Sequence, residues 1–395
     1  MSSLFQKRID LVDSLRGFSL FGILLIHFIE HFNLYFYQSP PLEPFKALNT
    51  GIWETTFYIF SGKAYAIFSF LFGFSFFIQF NNQKKQGYDF RIRFAWRMIL
   101  LMVFAQLNAM FYPGDILVLY SFVGLVLIIL SNASNQLVYW VAILFMLQPL
   151  EWYQFFSSII DIDYQPYEKI NWNYFKLVSP VLASGTLPAV WKTNLWEGQI
   201  FSNLWQIENG RLFQTASLFL LGMLSGRKEL FHKTPMTILF WRKVLACGLV
   251  GYGVLYSLQF YLQSSTALPS KILLSILVPT LKNFFFGSVL VAAYTLLWYT
   301  FTNNRLQSIF IAYGRMSLTN YISMAIIGSF IFYGYGLSLN TTLNIVFSFI
   351  AAILVFIVQL LFSIWWLKKY KQGPLEYLWK KLTWMGDSRT QLTEP

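Results

Sequence analysis

Near the start of the chain, one apolar run holds six residues able to do acid–base or ionic chemistry: Asp10, Asp13, Arg16, His27, Glu30 and His31. Eleven positions separate Arg16 from His27. On a helix that is about 1100° of rotation, three turns plus roughly 20°. The two side chains therefore share a face, about 16 Å apart in depth. Asp13 and His31 fall within one helical step of it. An imidazole titrates near neutral pH and can act as a general base. A guanidinium holds phosphate oxygens through charge-assisted hydrogen bonds. Plainer readings stand beside these: Asp13 and Arg16 as dressing of a helix start, His27 as a buried neutral ring, and Glu30 and His31 as interfacial residues.

Other apolar runs carry polar groups at comparable depth. Asn108 follows Arg97 by the same eleven positions. Lys63 opens the run GKAYAIFSFLFGF, and Asp115 lies in PGDILVLY, a tight turn before a further span. If these helices are neighbours, His27, Lys63, Asn108 and Asp115 converge on an outer-half pocket, while Arg16 and Arg315 meet at the inner end. His27, Asn108 and Asp115 are then the catalytic candidates. Asp13, Arg16, Lys63, Arg315 and Asn320 are the candidates for holding a donor. In GRMSLTNY the plainer readings are that Gly314 begins a helix, Arg315 snorkels to the interface and Asn320 joins helices. Cations at a mouth with a histidine beyond suit acyl-coenzyme A arriving from the cytosol, as a co-substrate rather than a tightly bound cofactor. Cys247 is the single cysteine, so one chain holds no disulfide, zinc site or paired-thiol centre, and no metal site is expected.

These residues need elements that lie in lipid. Hydrophobic residues make up 56% of the 395, and charged residues 12%. That is about half the charge of an average soluble domain, too little to cover a surface facing water. An all-α, polytopic helix bundle follows. Runs of roughly spanning length lie at 14–33, 56–80, 95–112, 115–132, 136–151, 212–226, 244–262, 272–300, 308–333 and 343–367, about ten spans. The first run lacks a small-residue cleavage site and reads as a retained span. Basic residues cluster in alternate connections: Lys7 and Arg8; the 81–97 loop; Arg227 to Lys243; and Lys368 to Lys381. This places both termini in the cytoplasm. The net charge of +12 is spent on topology, which argues against nucleic acid. The chain thus divides into spans over 1–151, an extracytoplasmic aromatic cap over 152–211, further spans over 212–367 and a cytoplasmic tail over 368–395. The tail turns at Gly373-Pro374 into an amphipathic helix expected on the inner leaflet.

The opening RIDLVDSLRGFSLFGILLIH resembles the first span of the YeiB-type family of uncharacterised bacterial membrane proteins. GKAYAIFSFLFG, GDILVLYSFVGL, GRMSLTNYISMAIIGSFIFYGYGLSL and GPLEYLWKKLTW are similar to that family as well. The resemblance runs along nearly the whole chain and implies a bacterial plasma membrane. It also implies kinship with transmembrane acyltransferases, such as the lysosomal heparan glucosaminide acetyltransferase and the bacterial enzymes that O-acetylate surface glycans. In the glycan-modifying group an Arg and a His are separated by ten residues in the first span. By that resemblance Arg16 helps place the donor and His27 takes the acceptor's proton, the acceptor being a glycan or small molecule. YeiB-type chains commonly carry Asn at the position of His27, and many relatives carry His at that of Asn108. Two other functions stay open: a small-molecule transporter or exporter lined by the same residues, for which only Pro279 hints at a broken helix, and a non-catalytic membrane partner. A homo-oligomer is compatible with any of the three.

Overall fold

In lipid only a helix satisfies every backbone N–H and C=O within one segment. The computed structural model describes residues 9–34, 45–301, 305–340 and 342–385; among them there is no strand. Lys7 and Arg8 lie outside the described residues. The first half contains α1 (Asp10–Ile26), α2 (Lys46–Phe60), α3 (Lys63–Lys85), α4 (Arg91–Ala109), α5 (Leu117–Ile129) and α6 (Asn135–Met146). Four shorter helices follow: α7 (Pro149–Ile160), α8 (Asn171–Ser184), α9 (Leu187–Thr193) and α10 (Gln199–Glu208). The second half contains α11 (Arg211–Arg227), α12 (Pro235–Gln263), α13 (Leu268–Ser275), α14 (Leu277–Thr300), α15 (Arg305–Arg315), α16 (Ser317–Phe332), α17 (Ile345–Leu367) and α18 (Pro374–Thr383). Two π-helical turns, His27–His31 and Asn194–Gly198, extend α1 and join α9 to α10.

Among the described residues six helical stretches are long and apolar enough to cross a membrane, and three shorter apolar helices accompany them. The protein is therefore a membrane protein. Several expected spans are divided. The second, 56–80, breaks at Ser61–Gly62, where Gly62 takes a φ of +72°. Residues 46–60, assigned from sequence mostly to a loop, form α2 against α1 and α17. The eighth breaks at Ile276, so Pro279 lies harmlessly in the first turn of α14. The ninth breaks at Met316, between α15 and α16. Gly314 therefore lies near the end of α15 rather than starting a helix.

α1 is the central element. Its most apolar window is 78% buried inside the protein, against 17% for the peripheral α12. On α12, Leu249, Val250, Val254 and Phe260 are exposed, an apolar face that lipid rather than water must cover. Polar side chains seat some helix ends: the Thr234 hydroxyl accepts from the Thr237 amide ahead of Pro235, and the Asn344 side chain accepts from the Phe347 amide.

Without a hydrophobic drive between helices in lipid, small residues set the closest crossings. At α1–α15, a Cβ on Gly17 would stand 2.1 Å from the Phe310 carbonyl oxygen, and one on Gly314 1.9 Å from that of Asp13. At α3–α11 the corresponding pair is Gly73 and Gly222, each 1.9 Å from the facing carbonyl of Phe219 or Phe70. Gly314→Val is expected to force α1 from α15 and destabilise the protein by about 1–3 kcal/mol. Thermal unfolding in detergent would show this as an earlier transition than that of a lipid-facing control such as Val254→Leu.

The aromatic segment read as a cap folds as α7–α10. Its best-tied residue is Glu208, whose carboxylate accepts from the Ile170 amide (3.0 Å), the Asn171 amide (3.2 Å) and side chain, and the Tyr167 hydroxyl (3.0 Å). Burial raises this carboxyl, but the donors together outweigh burial and hold it below the usual range. Its stabilising contribution is therefore complete above the ordinary glutamate pKa of about 4.3 and is lost as pH falls through the depressed value. Acidification to about pH 3 is expected to loosen this segment, seen as a change in tryptophan fluorescence. Glu208→Gln should lose that pH dependence; an unchanged acid transition would refute the assignment.

Candidate functional site

Arg16 and Arg315 meet at one end of the bundle, as their positions in the sequence imply, because Asp13 lies between them. Arg16 donates to Asp13 Oδ1 at 2.7 Å, and Arg315 Nε lies 3.4 Å from Asp13 Oδ2. Arg315 also pairs with Asp10 at 2.8 Å, and Arg16 donates to Ser75 Oγ of α3 at 2.8 Å. Asp13 is buried, while Arg16 and Arg315 keep 17% and 33% of their side chains accessible. The cluster thus ties α1, α3 and α15 and still offers charge to a ligand. Arg315 is engaged by carboxylates rather than snorkelling freely.

This end opens into a cavity of about 520 Å³. Arg16, Arg97, Arg315, Gln79, Asn82 and Lys380 line its polar part. Phe68, Phe72, Phe76, Phe94, Leu101 and Tyr120 line the remainder. From Asn82 to Phe68 the lining descends α3 by about 21 Å. Leu117 and Tyr321 also line it, toward the opposite end of the bundle.

The tail helix packs on the protein at this mouth. Glu376 accepts from the amides of Leu318 (2.6 Å) and Thr319 (3.2 Å) and from the Thr319 hydroxyl (2.6 Å). A carboxylate there satisfies open donors at the start of α16. The Arg97 guanidinium lies 3.7 Å from the Trp379 ring centroid, and Trp379 Nε1 donates to the Arg97 carbonyl. Trp379, Lys380 and Trp384 thereby join the cavity wall.

At the far end of α1, His27 is buried among rings. Its centroid is 4.6 Å from Tyr112, 5.0 Å from His31 and 6.3 Å from Tyr321. The Tyr321 hydroxyl donates to Asp115 Oδ1 at 3.2 Å, and Asn108 Nδ2 donates to the same oxygen at 3.0 Å. Tyr321 therefore links the cavity to both His27 and the Asn108–Asp115 pair. His27 Nδ1 and Asn108 Oδ1 are buried here without a hydrogen-bond partner among the described residues. Ser202 and Gln206 of α10 donate to the Asp115 carbonyl and close this end.

Two expected members lie elsewhere. Lys63 does not join the His27 pocket: its ammonium donates to the Phe57 carbonyl at 3.4 Å and faces Tyr58 and Phe286. The turn at Gly62 directs it toward α2 and α14. Asn320 faces α17, donating to the Tyr313 carbonyl and Ser363 Oγ, while Gln359 donates to its own carbonyl. It joins helices and is absent from the cavity wall. Arg97, whose spacing to Asn108 copies that of Arg16 to His27, joins the cavity wall although it is not among the expected site residues. Tyr112, Tyr321 and Trp379 carried no sequence signal, since aromatic residues fill this chain.

Comparison with known proteins agrees with the YeiB-type resemblance. Residues 225–386 match a family described as protein of unknown function (DUF418). The chain is 25% identical to the uncharacterized protein YxaH of Bacillus subtilis (strain 168), over 97% of this chain and 96% of that one. It is 26% identical to an uncharacterized 39.9 kDa protein in the amylase 3' region of Bacillus acidopullulyticus, over 96% and 94%. Over 70 residues, 18% of each chain, it is 40% identical to the uncharacterized protein YeiB of Escherichia coli (strain K12). No solved structure matches.

Asp13→Asn is expected to leave two neighbouring guanidiniums without their shared counter-charge and to destabilise the protein by about 3 kcal/mol. Glu376→Gln, by contrast, should release α18 with little effect on the bundle. Limited proteolysis after residue 368 separates the two: faster tail cleavage in Glu376→Gln at an unchanged melting temperature is the expected pattern.

Proposed function

For a YeiB-type membrane protein that carries the DUF418 region, we propose an acyltransferase that moves an acyl group from acyl-coenzyme A to a hydroxyl or amine acceptor. In this reading it resides in a bacterial plasma membrane, with the arginine-lined mouth and both termini in the cytoplasm and α7–α10 outside. The observation that carries the reading is the cavity itself, with Arg16, Arg97, Arg315 and Lys380 at one end and aromatic walls beyond. Such a shape suits a donor with phosphates at its head and a slender reactive arm. Kinship with membrane acyltransferases, implied by the residues around Arg16 and His27, supports the same reading.

The acceptor's oxygen or nitrogen attacks the thioester carbonyl carbon, the new bond forms, and the carbon–sulfur pair leaves on the coenzyme A sulfur. A base at the far end of α1 takes the acceptor's proton, in the cluster that His27 shares with His31 and Tyr112. Asn108 presents an unpartnered oxygen that an acceptor hydroxyl or amine can bond.

Purified protein in detergent is expected to bind coenzyme A, measured by calorimetry. Arg16→Ala should weaken binding about tenfold or more, the loss of one charge-assisted hydrogen bond. His27→Ala should keep binding and lower transfer of a radiolabelled acetyl group at least about a hundredfold. Wild-type transfer by His27→Ala would remove that residue from the mechanism. Solute movement across vesicles without any thioester would favour a transporter instead.

A further inference from the structure

The far end of α1 holds a second ionisable set that sequence spacing left as interfacial. His31 Nδ1 lies 2.5 Å from the Tyr112 hydroxyl, and His31 Nε2 lies 3.1 Å from Glu30 Oε2. A neutral imidazole accepting at Nδ1 carries its proton on Nε2, directed at the carboxylate. Hydroxyl, imidazole and carboxylate thus stand in the order that activates an O–H group in nucleophile–base–orienter sets. The π-helical turn His27–His31 produces this arrangement, with the Phe32 amide bonding back to the His27 carbonyl. π-turns of this kind frequently coincide with functional sites.

The two histidines differ in what surrounds them. His27 is 7% exposed and faces Tyr112, Phe32 and Tyr321, with no carboxylate paired to it among the described residues. A proton placed there creates an unpaired charge in an apolar site, which is costly. His31 has Glu30 beside it, and the two side chains keep 23% and 20% of their area accessible. Among the described residues, ionisable groups facing His31 include Glu30 and His27 of its own helix and Tyr112 just beyond α4, with Tyr321 of α16 beyond His27. α17 also packs on this turn and contributes no ionisable side chain.

We propose that Tyr112, His31 and Glu30 form the base that deprotonates a hydroxyl-bearing acceptor, with His27 positioning the Tyr112 ring. The proposal rests on the acyltransferase reading and assigns its proton step. As the acceptor oxygen bonds to the thioester carbonyl carbon, its hydrogen passes to Tyr112 Oη and the phenol hydrogen passes to His31 Nδ1. The carbon–sulfur bond breaks with its electron pair on sulfur. Glu30 stabilises the imidazolium until the proton returns through Tyr112 to the thiolate, leaving an ester and coenzyme A.

The test is acyl transfer by the full-length protein, read with the imidazole nitrogen signals of His27, His31 and His232, the three histidines of the chain. Glu30→Gln removes the carboxylate that holds the His31 ring and lowers transfer at least about tenfold, while Glu30→Asp restores part of it. Tyr112→Phe lowers transfer at least about tenfold and releases the Nε2–H tautomer of His31, while coenzyme A binding in these variants certifies the fold. Wild-type transfer by Glu30→Gln or Tyr112→Phe overturns the relay and leaves the acyltransferase reading standing. Absence of transfer by the wild-type protein at every pH, with acetyl-coenzyme A and polyol or glycan acceptors, overturns both.

Discussion

One buried carboxylate organises the arginine-lined end of this protein. Asp13 lets Arg16 and Arg315, from helices at opposite ends of the chain, occupy the same mouth. Two guanidiniums that close would repel in a medium of low dielectric. The approach is possible only because Gly17 and Gly314 bring the α1 and α15 backbones together at that level. Charge and crossing are therefore one device: the glycines set the distance, and Asp13 makes it electrostatically tolerable.

From that anchor the rest of the architecture follows. α1 is the most enclosed of the long helices, and each of its ends carries a separate polar chemistry. Arginines held by carboxylates occupy one end, and imidazoles among phenols occupy the other. The cavity between them is walled mainly by Phe side chains, which bind slender apolar or amphipathic groups without competing for hydrogen bonds. Tyr321 joins the two regions, lining the cavity while bonding Asp115.

Both ends are also covered by segments outside the apolar helices. α18 rests on α4 and α16 through Glu376 and Trp379. α10 seals the turn at Asp115 through Ser202 and Gln206. Glu376, Ser202 and Gln206 bond backbone groups that the end of a helix or a tight turn leaves open. The covering segments thus dock where the bundle itself is unsatisfied, so they belong to the site and not merely to the surface.

Composition and hydropathy were enough to place this chain in a membrane, because charge-poor helices have no other way to be covered. Helical periodicity was enough to put Asp13, Arg16 and His27 on one face, because that geometry lies within a single element. The breaks at Gly62, Ile276 and Met316 were not legible, since apolar residues continue through them and hydropathy does not register a change of direction. The destinations of Lys63 and Asn320 were not legible either: a polar residue in an apolar run announces that it has a partner, not which helix supplies it. The same holds for Arg97, Trp379 and the pairing of His31 with Tyr112 and Glu30. Those partnerships depend on helix crossings set by glycine contacts far apart in the chain, and on a π-turn that no local pattern marks. Sequence determined which faces are polar and at what depth; only the tertiary crossings decided which polar faces meet.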